Sequence, residues 1–219
     1  MSLLDAPVHE VAWAAIDFEG TGAAPGQIDE AVQIGIAVLP PGRPGPENFF
    51  RSYVRAQSRV TRAAKSVHRI TDEDIEGAPA LPSLWPEIKS RLRDAVVVAH
   101  GAGTEKRFMR AFPMHGFGPW VDTLVLARAL MPGLSDHSLS SVVEAAGLLG
   151  AVKDCCPGHA WHDALFDAVA CLVFLRHCVS EFGLGDRVVG QLACGHAPAY
   201  YHARKLKRTA REAGLGGAD

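Results

Sequence analysis

Two carboxylates spaced two residues apart, Asp17 and Glu19, stand at the end of an apolar run, VAWAAIDF at 11–18. On a strand, side chains at i and i+2 project from the same face. Like charges held together in this way repel each other. A divalent cation between them removes that cost, and oxygen donors suit Mg2+ or Mn2+. Taken alone, the pair fits an exposed strand end with two solvated acids equally well.

A second pair, His162 and Asp167, lies far along the chain in HDALFD. A spacing of five puts the two about 140° apart on an ideal helix. They share a face if His162 lies on the loop just before the first turn. Asp167 sits among Leu165, Phe166, Ala168 and Val169. An unpaired charge in apolar surroundings is costly, and a metal would supply the missing partner. The plain alternatives are a capping or surface histidine and a solvated helix acid.

The elements that must position these residues follow from the hydrophobic pattern. Residues 11–18, 30–39 and 48–56 read as strands, close enough in sequence for an antiparallel meander. The pattern then predicts short helices at 60–70 and 71–75, the second capped by Thr71 with Asp74 three residues on. An amphipathic helix at 84–93 precedes a compact strand at 95–99. A helix at 105–112 and a short strand at 119–122 follow. Helices at 123–130 and 138–146 lead to a long apolar helix at 162–182. Residues 183–198 read as Gly-rich and irregular, and 199–213 as a basic terminal helix. Strands followed by alternating helices and strands imply an α/β domain with a mixed central sheet, strands 1–3 antiparallel, and flanking helices.

Composition narrows the class. The 219 residues are 48% hydrophobic and 21% charged, an ordinary globular mixture. No apolar run is long enough to span a bilayer, and the N-terminus has no secretory pattern. Five irregularly spaced cysteines fit a reducing, cytoplasmic setting. The net charge of −2 excludes a polycationic nucleic-acid coat. Five bases, Arg204, Lys205, Lys207, Arg208 and Arg211, crowd the tail behind an acidic body, which suits a carboxylate-rich metal enzyme.

Three segments in order carry a resemblance: AIDFEGTG at 15–22, VAHGAGTEKRFM at 98–109 and HDALFD at 162–167. Smaller matches are VHRIT at 67–71 and VDTL at 121–124 with Ala127 and Arg128. Each is weak alone. As an ordered set covering about 11–180 they resemble the DEDDh 3′→5′ exonuclease superfamily, which includes the proofreading subunit of bacterial DNA polymerase III, ribonuclease T and oligoribonuclease. The resemblance implies a ribonuclease H-like fold and two-metal hydrolysis of phosphodiesters at single-stranded 3′ ends of DNA or RNA. Nucleoside 5′-monophosphates would be released. It implies two divalent ions, Mg2+ or Mn2+, held by Asp17, Glu19, Asp167 and Glu105, with His162 as general base. An exonuclease domain at 1–182 would carry a basic extension at 183–219, helical in part.

The second segment departs from the family pattern. Glu105 stands where aspartate is expected, and Gly101 and Thr104 replace the common Asn and Phe. Glu105 is one methylene longer, so the second metal is held directly, through water, or loosely. A first-turn acid favoured by the helix dipole is the bland alternative. Thr21 and Gly22 would let the backbone approach the terminal nucleotide, or form a turn that needs glycine. His68 would lie near that nucleotide, or on a helix surface. His100 reads as a strand terminator. The tail, with Tyr200 and Tyr201, would touch phosphates and bases, lie solvated, or form a homodimer contact. Cys194, His196 and His202 lack the spacing of a zinc site. No motif points to a polymerase partner. Two rivals remain: a nucleic-acid end-binding or interaction module with weakened catalysis, and a haloacid-dehalogenase-type phosphatase using Asp17 as nucleophile. The latter lacks the expected second aspartate, later lysine and paired acids.

Overall fold

The computed structural model describes residues 2–193. Strand β1 (Trp13–Gly20) pairs antiparallel with β2 (Ala31–Leu39), which pairs antiparallel with β3 (Glu47–Tyr53). The meander then gives way to a short helical layer: α1 (Arg62–His68), α2 (Asp72–Ile75) and α3 (Trp85–Leu92). Thr71 and Asp74 cap α2 reciprocally, as their spacing predicts. Strand β4 (Val96–Ala99) enters parallel to β1, and β5 (Trp120–Asp122) parallel to β4. Helix α4 (Gly103–Phe108) lies between them in sequence. The sheet order is β3-β2-β1-β4-β5, the expected mixed sheet.

Helices α5 (Thr123–Leu130), α6 (Leu139–Ala145), α7 (Leu149–Cys155) and α8 (Ala164–Glu181) complete the frame. Residues 164–175 of α8 are all buried except Asp167, which is partly buried. A helix apolar on every side belongs in a core, not on a surface. Alternation along β1 divides that core. Trp13 and Ala15 face α8, whereas Ala14, Ile16 and Phe18 face Ile88, Leu92 and Phe108. By the same parity Asp17 and Glu19 point to the α8 side.

The structure corrects several sequence boundaries. The long helix starts at Ala164 rather than at 162, because Asp163 caps it with its own side chain on the Leu165 N–H. The third strand ends at Tyr53 rather than at 56, and the helix expected at 105–112 runs from Gly103 to Phe108 before a 3-10 turn. Helix α7 was not expected; burial of Val152 stabilises it. Residues 183–198 are not wholly irregular: α9 (Val189–Ala193) buries Val189 and Leu192 in the main core, and the Val189 N–H donates to Ala6 O. The expected terminal helix at 199–213, Tyr200, Tyr201 and the Cys194, His196 and His202 group lie outside the described residues.

Candidate active site

Register places the first acid pair opposite two unusual residues of β2: Asp17 faces Gly35, and Glu19 faces Gln33. A Cβ on Gly35 would overlap the Ala164 carbonyl. Glycine therefore lets the start of α8 lie directly on the sheet. Gln33, buried in the strand, accepts a hydrogen bond from the Ala164 N–H through Oε1 at 2.7 Å. Asp163 adds a third tie, accepting from Arg51 Nε of β3 at 2.7 Å. Together these contacts hold the first turn of α8 above the two carboxylates. Gln33, Gly35 and Arg51 belong to none of the motifs read from the sequence. The signal was present as a polar residue and a glycine inside an otherwise apolar strand, AVQIGIAVL.

His162 sits two residues before α8 with φ of +67°, off the helix as the spacing requires. Its backbone N–H donates to Asp167 Oδ2 at 3.3 Å. The turn brings His162, Asp167 and Glu19 together, with one ligand-type atom from each lying within 4.8 Å of the others. Asp17 joins the same electrostatic cluster. Burial and the carboxylates of Asp167, Glu105 and Glu19 push its pKa well above the usual carboxylate range. Burial first, then Asp167, Asp163 and Glu105, raise Glu19 to about 8. Burial raises Asp167 to about 7, against the opposing hydrogen bond from His162. Glu105 also rises to about 7, chiefly through burial.

Glu105 is no solvated first-turn acid: it is 4% exposed. Its placement depends on Asp122 at the end of β5, whose carboxylate accepts from the N–H groups of Gly101 and Ala102 at 2.9 and 3.0 Å. That clamp fixes the loop leading into α4. Thr104, beside it, is exposed. Two carboxylate oxygens, Glu105 Oε2 and Asp167 Oδ1, are buried without a hydrogen-bond partner among the described residues. A buried orphan acceptor costs about 1–3 kcal/mol, and more when charged. Four acids with raised pKa values and two orphaned oxygens fit divalent cations, which would lower those pKa values and take up those oxygens.

The remaining predicted residues are held by the scaffold. The Thr21 N–H donates to Glu30 O, its hydroxyl accepts from the Glu30 N–H, and its carbonyl accepts from Thr61. Gly22 has φ of +80° and donates its N–H to Asp29 at 2.8 Å; a Cβ there would crowd Thr61 Oγ1. His68 is buried rather than on a helix surface. Its Nδ1 accepts from the Ile70 N–H, so Nε2 carries the proton and donates to Gly20 O at 3.0 Å. The imidazole thereby pins the end of β1 to the α1–α2 connection. His100 engages Thr123 and His137, as a strand-terminating residue would.

A cleft of about 730 Å3 opens on one side of His162, lined also by Gln33, Arg51, His68, Arg69 and Asp163. Its size is that of a small-molecule site. Asp17, Glu19 and Glu105 do not line it. His162 thus stands between the acid cluster and the cleft.

Comparison with known proteins agrees with this geometry. The family model described as Exonuclease (RNase_T) matches residues 14–174. The DNA polymerase III PolC-type protein of Thermotoga maritima is 33% identical over 178 residues, covering 78% of this chain and 12% of that protein. A DNA polymerase III subunit epsilon-like protein of Rhodobacter capsulatus is 28% identical over 180 residues, covering 80% of this chain and 25% of the relative. The chain thus spans only a minor part of these curated relatives. Among solved structures, Exonuclease X in complex with 5′ overhanging duplex DNA superposes with a TM-score of 0.67 at 23% identity, covering 83% of this chain and 99% of that one. The nuclease domain of 3′hExo, a DEDDh family member bound to rAMP, gives 0.66 at 16% identity, covering 84% and 98%. These two likenesses show the fold, which is the ribonuclease H-like one the sequence resemblance implies.

Proposed function

The chain belongs to the RNase T (DEDDh) exonuclease family, and from that premise we propose that it removes nucleotides from single-stranded 3′ ends of DNA or RNA as nucleoside 5′-monophosphates. The observation that carries this reading is the convergence of Glu19, His162 and Asp167 within 4.8 Å beside Asp17. Asp17, Glu19, Asp167 and Glu105 would hold two divalent cations, Mg2+ or Mn2+. When bound, such ions stabilise the charge on the attacking and departing oxygens.

The residues divide the remaining work. His162 accepts a proton from the attacking water through its imidazole. The water oxygen forms the new bond to phosphorus as the bond to the 3′ oxygen breaks. The departing oxygen leaves as a 3′-hydroxyl once protonated. Asp167 holds the His162 backbone through the N–H contact, fixing where the base can sit. Thr21 and Gly22 shape the wall that receives the terminal nucleotide, and His68 braces that wall through its contact with the Gly20 carbonyl.

Family membership across 14–174 removes the phosphatase rival. The end-binding module differs in having no turnover. The buried, orphaned oxygen of Glu105 favours the enzyme, because an idle carboxylate gains nothing from that position. Among the described residues no helix is long and apolar enough to cross a membrane. Free Cys155, Cys156, Cys171 and Cys178 fit action in the cytoplasm. The tail beyond 193 would add phosphate contacts or a homodimer contact.

The test is a substrate panel of 3′-recessed duplex, single-stranded DNA and single-stranded RNA, each with Mg2+ or Mn2+. Stepwise shortening from the 3′ end that disappears in His162→Ala is the expected result. Binding without shortening in either metal would overturn the enzyme reading and leave the module.

A further inference from the structure

Among the described residues five non-glycine residues hold a positive φ, and two of them, Arg69 (63°) and His162 (67°), line the same cleft. Left-handed backbone is costly for a residue with a Cβ, and glycine avoids that cost. Arg69 caps α1, with its N–H donating to Lys65 O, at a position that glycine usually fills. Strain of this kind persists where something else holds it or uses it.

The charged groups of the cleft differ in how they are engaged. Arg51 is committed to Asp163 and Tyr53. The Nδ1 of His159 lies 3.2 Å from Asp163 Oδ1. Asp74 spends its carboxylate on the Thr71 N–H and hydroxyl. The Arg69 side chain is exposed and makes no hydrogen bond or ion pair among the described residues. Val67, at 48% exposure, adds an apolar surface beside it.

We propose that Arg69 binds a phosphate of the substrate strand other than the scissile one and holds the strand in the cleft beside His162. The inference rests on the nuclease reading above. The scissile phosphate belongs at the acid cluster, which lies off this cleft, and His162 is the residue the two regions share. A strand anchored at the cluster therefore passes His162 and meets Arg69 with a neighbouring phosphate. The planar guanidinium presents paired N–H donors that match two phosphate oxygens. The positive charge of Arg69 offsets local repulsion between the strand and the acids around it.

The test compares wild type, Arg69→Gly and Arg69→Lys on two substrates: a dinucleoside monophosphate, whose one phosphate is scissile, and a single-stranded decamer. Arg69→Gly should lower the ratio of decamer to dinucleoside kcat/KM about ten-fold, the loss of one charged hydrogen-bond partner. The slope of log Kd against log salt for the decamer should flatten by about 0.7, one phosphate contact on a single strand. Arg69→Lys should keep the wild-type slope. Thermal stability of Arg69→Gly should hold or rise, since glycine relieves the backbone. An unchanged ratio and slope, with wild type cleaving normally, overturns this inference alone. A wild type that neither binds nor cleaves either substrate overturns it together with the nuclease reading.

Discussion

Oε1 of Gln33, in the middle of the sheet, accepts the N–H of Ala164, the first residue of the site's helix, at 2.7 Å. The contact satisfies a donor that the start of a helix leaves without an intrahelical partner. It also sets the height of α8 over Asp17 and Glu19, because Gln33 and Glu19 face each other across the β1–β2 pair. Gln33→Leu keeps the volume and removes the acceptor. We expect it to lose about 1–3 kcal/mol of stability, the cost of a buried unpaired N–H. Activity should fall by more than the stability loss accounts for, since His162 and Asp167 move with the helix. Chemical denaturation and single-turnover rates at saturating metal check both parts; wild-type rates in a fully folded Gln33→Leu protein would sink the positioning role.

Gly35 does by absence what Gln33 does by contact. Its missing side chain lets the Ala164 carbonyl approach β2 opposite Asp17. Gly35→Ala must push backbone against backbone, so we expect a loss of about 1–3 kcal/mol from overpacking, with activity depressed in the protein that still folds. Gly77→Ala is the control, because a Cβ there meets nothing within 4 Å and needs no positive φ. Its stability should change by no more than about 0.5 kcal/mol. Equal effects at the two positions would show that α8 does not depend on the close approach.

The acid cluster predicts an inverted pH dependence for the metal-free protein. Burial and neighbouring carboxylates raise Glu19 to about 8 from its ordinary value of 4.5. Between those pH values the folded state keeps a proton that the unfolded state has released. Stability therefore falls as pH rises across this window. Asp167 and Glu105, each raised to about 7, act in the same direction. In chelator, the melting temperature should drop from pH 5 to pH 8, by about 2–4 °C for each kcal/mol lost. Mg2+ or Mn2+ should restore it, and more at pH 8 than at pH 5, because deprotonated acids bind metal. A chelated melting temperature that climbs over the same range would contradict the cluster.

How much of this was legible in the sequence differs between the frame and its fine positioning. Alternation and spacing located the three antiparallel strands, and apolar flanks made Asp167 conspicuous. Glu19, His162 and Asp167 were recognisable because their order along the chain matched a known pattern. The register that puts Gly35 beneath Ala164 was not readable, since it depends on how far β1 and β2 slide before pairing. Nor were the partners of His68 readable, since the Gly20 carbonyl and Ile70 N–H reach it only once separate segments are packed together. Helix α7 was not expected, because its stability comes from Val152 in the core and not from local propensity.

Glu105 gives the last prediction, because stability and activity should move in opposite directions. Its carboxylate is buried, its Oε2 has no partner among the described residues, and its charge raises the pKa values of Asp17 and Glu19. Glu105→Gln keeps the shape and removes that charge. In chelator at pH 8 the variant should melt above wild type, because one source of repulsion is gone. With metal it should turn over about a hundred-fold more slowly, the scale of damage when a metal's surroundings lose a partner. Glu105→Asp keeps the charge but withdraws it by one methylene, toward the residue common in the family. A rise in turnover with a lower metal requirement would mean that the longer side chain holds the second ion poorly. Loss on the scale of Glu105→Gln would mean that α4, set by the Asp122 clamp, is built to the length of glutamate. An active Glu105→Gln protein with wild-type metal dependence would remove Glu105 from the site.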